Sequence, residues 1–145
     1  MIVGLGTVIH EQRFSNIQRG VELGQDCIIH SHVWIGQDVK IGDRCKIQAF
    51  VFIPTGVTIG NGVFISPHVC FTNDKHPPSH GKDWSETIVE DEVVIGANAT
   101  ILPSITLGKG CKIGAGAVVT KSVPDGEMWV GNPARRLKCV TAQVS

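Results

Sequence analysis

The sequence predicts an all-β fold, a three-sided solenoid of short parallel strands, from three observations. An aliphatic residue returns every six positions, a small or β-branched residue follows four places later, and glycine is frequent in second place. Read in sixes from Ile17, the chain runs IQRGVE, LGQDCI, IHSHVW, IGQDVK, IGDRCK, IQAFVF, IPTGVT, IGNGVF, ISPHVC. After an interruption it resumes as VEDEVV, IGANAT, ILPSIT, LGKGCK, IGAGAV. This beat is neither the 3.6 of a helix nor the 2 of a half-buried strand. Six residues suit one strand plus a turn, and three such sides close a coil rising by one strand spacing of about 4.8 Å. First and fifth positions then point into the prism, where like residues stack.

Composition agrees and narrows the function. At 145 residues the chain is one domain's worth, residues 1–145. Seventeen glycines, no tyrosine and many Val and Ile favour strands and tight turns over helices. Thirteen basic residues balance thirteen acidic ones, so no basic field marks a nucleic-acid or membrane partner. No apolar run approaches the roughly 20 residues a membrane span needs. The opening MIVGLGTVIH lacks the basic region and cleavage site of a signal peptide. Five cysteines include no CxxC pair, and Cys27, Cys45 and Cys111 fall at inward positions. They read as buried thiols of a cytoplasmic protein. Cys27 and Cys45, eighteen residues apart, would stack closely enough for a disulfide, though nothing requires one.

The ends and the break come next. A solenoid needs its ends closed. Near the C-terminus, GNPARRLKCV puts Asn132 at an N-cap and Pro133 at a first helical position. A short helix is expected there, within a cap over about 132–145, seating Leu137 on the last coil. Between Phe71 and Val89 the six-beat is lost, although the interval of eighteen would fit one more coil. Regular continuation would bury Pro77 and Asp83, which neither can sustain. The chain is therefore expected to leave the prism as a loop over about 73–86, ordered by its Pro-Pro pair and carrying Trp84.

The repeat resembles that of the hexapeptide-repeat acyltransferases, whose fold is the left-handed parallel β-helix. The handedness comes from that resemblance alone, because parallel crossovers are otherwise nearly always right-handed. FTND before the Pro-containing loop, together with IGANATILPSI and IGAGAVVTKSVPDGEMWVGNPARRLK, is similar more narrowly to the sugar-nucleotide amino-sugar N-acetyltransferases. Those enzymes acetylate a 3-amino or 4-amino group of a UDP- or dTDP-linked hexose with acetyl-CoA, as homotrimers with active sites between subunits. No metal is implied.

The resemblance also implies roles. Asn73 and Asp74 would hydrogen-bond the sugar amine and aim its lone pair at the thioester, and His68 would be a candidate general base. Turn chemistry is the plainer reading of an Asn-Asp pair. Ala97 and Ala115, eighteen apart and so stacked, would leave room for the pantetheine arm of acetyl-CoA. Thr120 and Lys121 would meet its phosphates, and Arg135 and Lys138, with Arg136 as substitute, the adenosine 3′-phosphate. His30, His32, Gln48 and Phe50 point outward and are candidates for contacting the nucleotide.

Three rivals stand beside this reading. TNDKHP also resembles the loop of galactoside and maltose O-acetyltransferases, where the histidine corresponding to His76 activates a hydroxyl. His32 and His68, thirty-six residues apart, evoke the zinc histidines of gamma-class carbonic anhydrases, although Asn73 stands where the next ligand is expected. A non-catalytic scaffold would need neither FTND nor the basic end.

Overall fold

In the computed structural model, described over residues 1–138, short strands alternate with turns on a six-residue beat. The strands form three parallel sheets, one on each side of a prism. The first sheet carries Glu22–Leu23, Lys40–Ile41, Val57–Ile59 and Thr87–Val89; the second, Ile28–Ile29, Lys46–Ile47, Phe64–Ile65 and Val94–Ile95. The third carries Asn16–Ile17, Trp34–Ile35, Phe52–Ile53, Cys70–Phe71, Thr100–Ile101 and Val118–Val119. Pairing follows the eighteen-residue coil: Trp34 lies beside Phe52, and Phe64 beside Lys46.

The core is the stack that the spacing predicts. First-position Ile29, Ile35, Ile47, Ile53, Ile65, Ile95 and Ile101 are fully buried, as are fifth-position Val21, Cys27, Cys45, Val69 and Val93. Each fully buried aliphatic side chain contributes about 1.5–3 kcal/mol relative to exposure. Cys27, Cys45 and Cys111 are free thiols within this stack. Cys27 donates to the Gly42 carbonyl and Cys45 to that of Gly60, both at 3.1 Å, and no disulfide forms. Burial pushes the Cys111 thiol up to about 12.

Two further rules hold the coils together. The fourth residue of every block, from Gly20 to His68 and again from Glu92 to Gly116, has a left-handed backbone that turns the chain from one sheet to the next. No Val, Ile or Thr occupies that place, as steric exclusion of β-branched residues requires. At the corner between the first and second sheets, side chains tie coil to coil. Asp43 accepts from the Gln25 amide, Asn61 from that of Asp43, and Asp91 from that of Asn61, each at 2.8 Å.

At the C-terminal end the expected helix does not form within the described residues. Residues 131–134 make a turn, and Arg135–Arg136 pairs antiparallel with Met128–Val130. The last coil itself competes with the helix for backbone groups: Val118 donates to Gly131 O at 3.0 Å, and Ala134 donates back to Val118 O at 2.8 Å. Ala134 is buried against the prism, whereas Leu137 is 48% exposed. Ala134, not Leu137, fills that place, and the remainder of the expected cap lies outside the described residues. No helix among the described residues is long and apolar enough to cross a membrane.

Candidate functional site

The break inserts twelve residues: Val89 pairs with Ile59, thirty positions back, instead of the usual eighteen. After Cys70–Phe71 the chain leaves the third sheet and returns as a narrow ribbon. Asp74 bridges Trp84 in antiparallel sense, and the Ser85 amide donates to Asn73 O at 2.9 Å. The loop is thus tied at its base.

Asn73 and Asp74 have different tasks at that base. Asn73 Nδ2 donates to Thr55 O at 2.9 Å, one coil below, leaving Oδ1 as the acceptor available to a ligand. Asp74 faces the loop: Oδ1 accepts from the His76 amide at 3.2 Å and Oδ2 from the Ser79 amide at 2.9 Å. The Ser79 backbone N–H is the main cause that holds its carboxyl below the usual carboxylate range, with further help from His76. Asp74 is therefore an anion that shapes the ribbon and a poor proton acceptor. His76 Nδ1 lies 3.4 Å from Asp83 Oδ2, with both side chains largely exposed on the ribbon.

Between ribbon and third sheet lies a cleft of about 290 Å³. Gly36 and Pro54 line it beside Trp34 and Phe52, whose rings stack at 6.0 Å; Trp84 joins them from the ribbon, and Asn73 completes it. A Cβ on Gly36 would collide with the Thr55 backbone nitrogen, so the close approach of two coils demands glycine there.

The other expected residues gather elsewhere. His68, Ala97 and Ala115 sit at the corner between the second and third sheets, on the opposite margin of the third sheet from Asn73. His68 has φ 63° and stacks on Phe50 at 5.0 Å. Phe50 stacks in turn on His32 at 4.9 Å, and His32 on Phe14 at 5.2 Å. The column continues without rings: Asn98 N bonds Pro67 O at 3.1 Å, and Gly116 N bonds Ala97 O at 2.8 Å. His68 thus stands where an aromatic ladder gives way to a track of small residues.

Thr120 and Lys121, both exposed, leave the third sheet on Asn73's margin, not on that of Ala97 and Ala115. Arg135 and Lys138 are exposed at the terminal turn, with Arg135 Nη1 donating to Ala134 O at 2.8 Å. Phe50 has a histidine ring against each face, and His30 packs near His10 at 5.2 Å between centroids. The free aromatic surface lies instead at Trp34, Phe52 and Trp84; the sequence singles out only Trp84, as a loop residue, and gives Trp34 and Phe52 no role. The eighteen-residue spacing of Trp34 and Phe52 at outward sixth positions was the signal available for the first two. The Phe50 ring also stands between His32 and His68, so one chain's pair cannot share an ion across about 10 Å. Among the described residues no group of three or more His, Cys, Asp or Glu is placed to hold a metal.

Comparison with known proteins fits this architecture. The bacterial transferase hexapeptide family (six repeats) matches residues 38–73, and the hexapeptide repeat of succinyl-transferase matches residues 86–121. A 2,3,4,5-tetrahydropyridine-2,6-dicarboxylate N-acetyltransferase of Staphylococcus aureus is 48% identical over 62 residues, 43% of this chain and 24% of the relative. The matched segment spans about a quarter of the length of these curated relatives.

Among solved structures, AntD of Bacillus cereus, an N-acyltransferase in complex with dTDP and 3-hydroxybutyryl-CoA, superposes with TM-score 0.84 at 21% identity. That match covers 94% of this chain and 81% of AntD. PerB of Caulobacter crescentus, with CoA and GDP-perosamine, gives 0.80 at 23% identity, over 92% of this chain and 58% of PerB. The chain carries hexapeptide repeats over residues 38–73 and 86–121, and its fold is the left-handed β-helix.

Proposed function

We propose that this chain is an acetyltransferase that moves an acetyl group from acetyl-CoA to the amine, at C3, of a UDP- or dTDP-linked amino sugar. It works as a homotrimer in the synthesis of surface-glycan precursors. One observation carries the reading: the acceptor half and the donor half of the site lie on opposite margins of one sheet. The cleft with Asn73 is on one margin, and the small-residue track of Ala97 and Ala115 with His68 is on the other. A second copy packed beside the first would bring one chain's cleft against its neighbour's track, and a closed ring of such contacts is a trimer. Supporting it, N-acyltransferases of this fold have been solved with CoA derivatives and nucleotide-linked amino sugars.

The chemistry follows from the groups present. Asn73 Oδ1 accepts an N–H of the neutral amine and aims its lone pair at the thioester carbon. Nitrogen attacks, the C–S bond breaks, and the departing CoA thiolate takes the proton that nitrogen sheds. An amine in its free-base form needs no strong protein base, which fits the lowered Asp74 carboxyl and leaves His68 to contact substrate or relay the proton. Thr120 and Lys121, on Asn73's margin, would meet the phosphates of a coenzyme lying on the neighbouring copy's track, with Arg135 and Lys138 as further positive charge. O-acetylation through His76 has no comparable support, because that imidazole is turned toward Asp83 on the exposed ribbon.

The test is a panel of UDP- and dTDP-amino sugars incubated with acetyl-CoA and read by mass spectrometry. The reading predicts a 42-dalton gain on one amino-sugar nucleotide, a figure on the order of one acetyl group for one hydrogen in the amine acylation chemistry above. Acetylation of a non-amino sugar instead, abolished by His76→Ala, would overturn it.

A further inference from the structure

The cleft beneath the ribbon extends well beyond Asn73. Its residues follow two columns of the solenoid: Trp34 and Phe52 in one, Gln18, Gly36 and Pro54 in the other. From the level of Asn73 to that of Gln18 is three coil steps, roughly 14 Å. That is far longer than an amine or a single hexose requires.

Its chemistry also changes along its length. Asn73 and Thr55 give the upper end polar atoms, and the lower end is walled by rings. Trp34 ends a two-ring stack: the next residue down its column is Asn16, so one indole face has no aromatic neighbour. Trp34, Phe52 and Trp84 are 38%, 39% and 54% exposed, an aromatic concentration that a solvent-facing sheet has no structural need to display. Gln18 is half-buried beside them, and its side-chain amide makes no hydrogen bond among the described residues.

We propose that the lower end of this cleft seats the nucleobase of the acceptor. Trp34 and the ribbon's Trp84 stack on the base, and Gln18 hydrogen-bonds its edge. This rests on the proposed acetyl transfer only in orienting the ligand, with the amino sugar at Asn73 and the base three coils away. Flat π-faces satisfy a base of any identity, whereas one amide able both to donate and to accept matches the imide edge of uracil or thymine.

The test uses UDP, dTDP and GDP without sugar or coenzyme, with affinity read by calorimetry and stacking by tryptophan fluorescence. UDP or dTDP is expected to bind and quench fluorescence. Trp84→Ala and Trp34→Ala should each weaken binding about tenfold or more, while Trp34→Phe should retain most of it and CoA binding should stay unchanged. Gln18→Ala should weaken UDP or dTDP binding several-fold.

Unchanged nucleotide affinity in both tryptophan variants, or no binding by any of the three nucleotides, overturns the assignment. So does dissociation of the assembly in Trp34→Ala, which would make the face a contact between copies. Failure of the acetyl-transfer reading is distinct: nucleotides would then bind and respond to both tryptophans although no amino sugar is acetylated.

Discussion

Asn73 and Asp74 stand side by side yet do different work. Asn73 donates one amide hydrogen to Thr55 O and keeps its oxygen available, so under the proposed reaction its replacement removes both a tether and the acceptor for the amine. Asn73→Ala should lower turnover by about 10²-fold, the scale of a small misplacement of reacting groups. CoA affinity, measured by calorimetry, should not change, since on the proposed reading Asn73 holds the acceptor amine while the neighbouring copy's Ala97 and Ala115 line the coenzyme arm. Asp74 holds two loop amides through a carboxylate whose pKa is lowered. A group lowered on folding lends its stabilisation above its ordinary pKa and loses it as pH falls through the lowered value. The ribbon should therefore remain tied from neutral pH down to about 5 and loosen only below about 4, around or under the ordinary aspartate value. Trp84 emission as a function of pH reads this directly, and loosening already above about pH 5 would contradict the assignment to Asp74.

At the scale of the element, the repeat is legible because each inward position is nearly invariant in character. Ile47, Ile65 and Ile95 stack as their spacing requires. The loop was legible for the opposite reason, since Pro77 and Asp83 could not occupy the core. The helix expected at Asn132–Pro133 was not legible, because the outcome turned on which backbone groups Val118 would claim, a contact across the coil. Likewise, the aromatic wall of the cleft needed Trp84, whose place depends on its antiparallel bridge to Asp74.

The return from the loop leaves one local imperfection. Thr87 occupies a fifth position opposite Val57, is 1% exposed, and its Oγ1 has no hydrogen-bond partner among the described residues. Thr87→Val removes that unsatisfied hydroxyl at constant shape and should stabilise the fold by about 1 kcal/mol. Thermal melting should show this as a rise of about 2–4 °C. A fall would mean that the hydroxyl has a partner in solution.

For the whole molecule, a narrow prism packed with stacked Ile and Val has no room for an internal pocket, so its chemistry must be built on the outside. Its surface carries two unlike features on opposite margins of the third sheet: the ribbon-covered cleft, and the corner where the Phe14–His32–Phe50–His68 ladder meets Ala97 and Ala115. Under the proposed reaction neither suffices alone, and within one chain they lie on opposite margins of the sheet. The most direct measurement is co-assembly of two separately inactive variants. Asn73→Ala disables the cleft, and Ala115→Trp blocks the track; mixed assemblies would pair an intact cleft with an intact track at some of their contacts. Recovery of acetyl transfer on mixing, at a substantial fraction of wild-type activity, is the predicted result. Mixed assemblies as inactive as either parent would contradict a site shared between neighbouring copies.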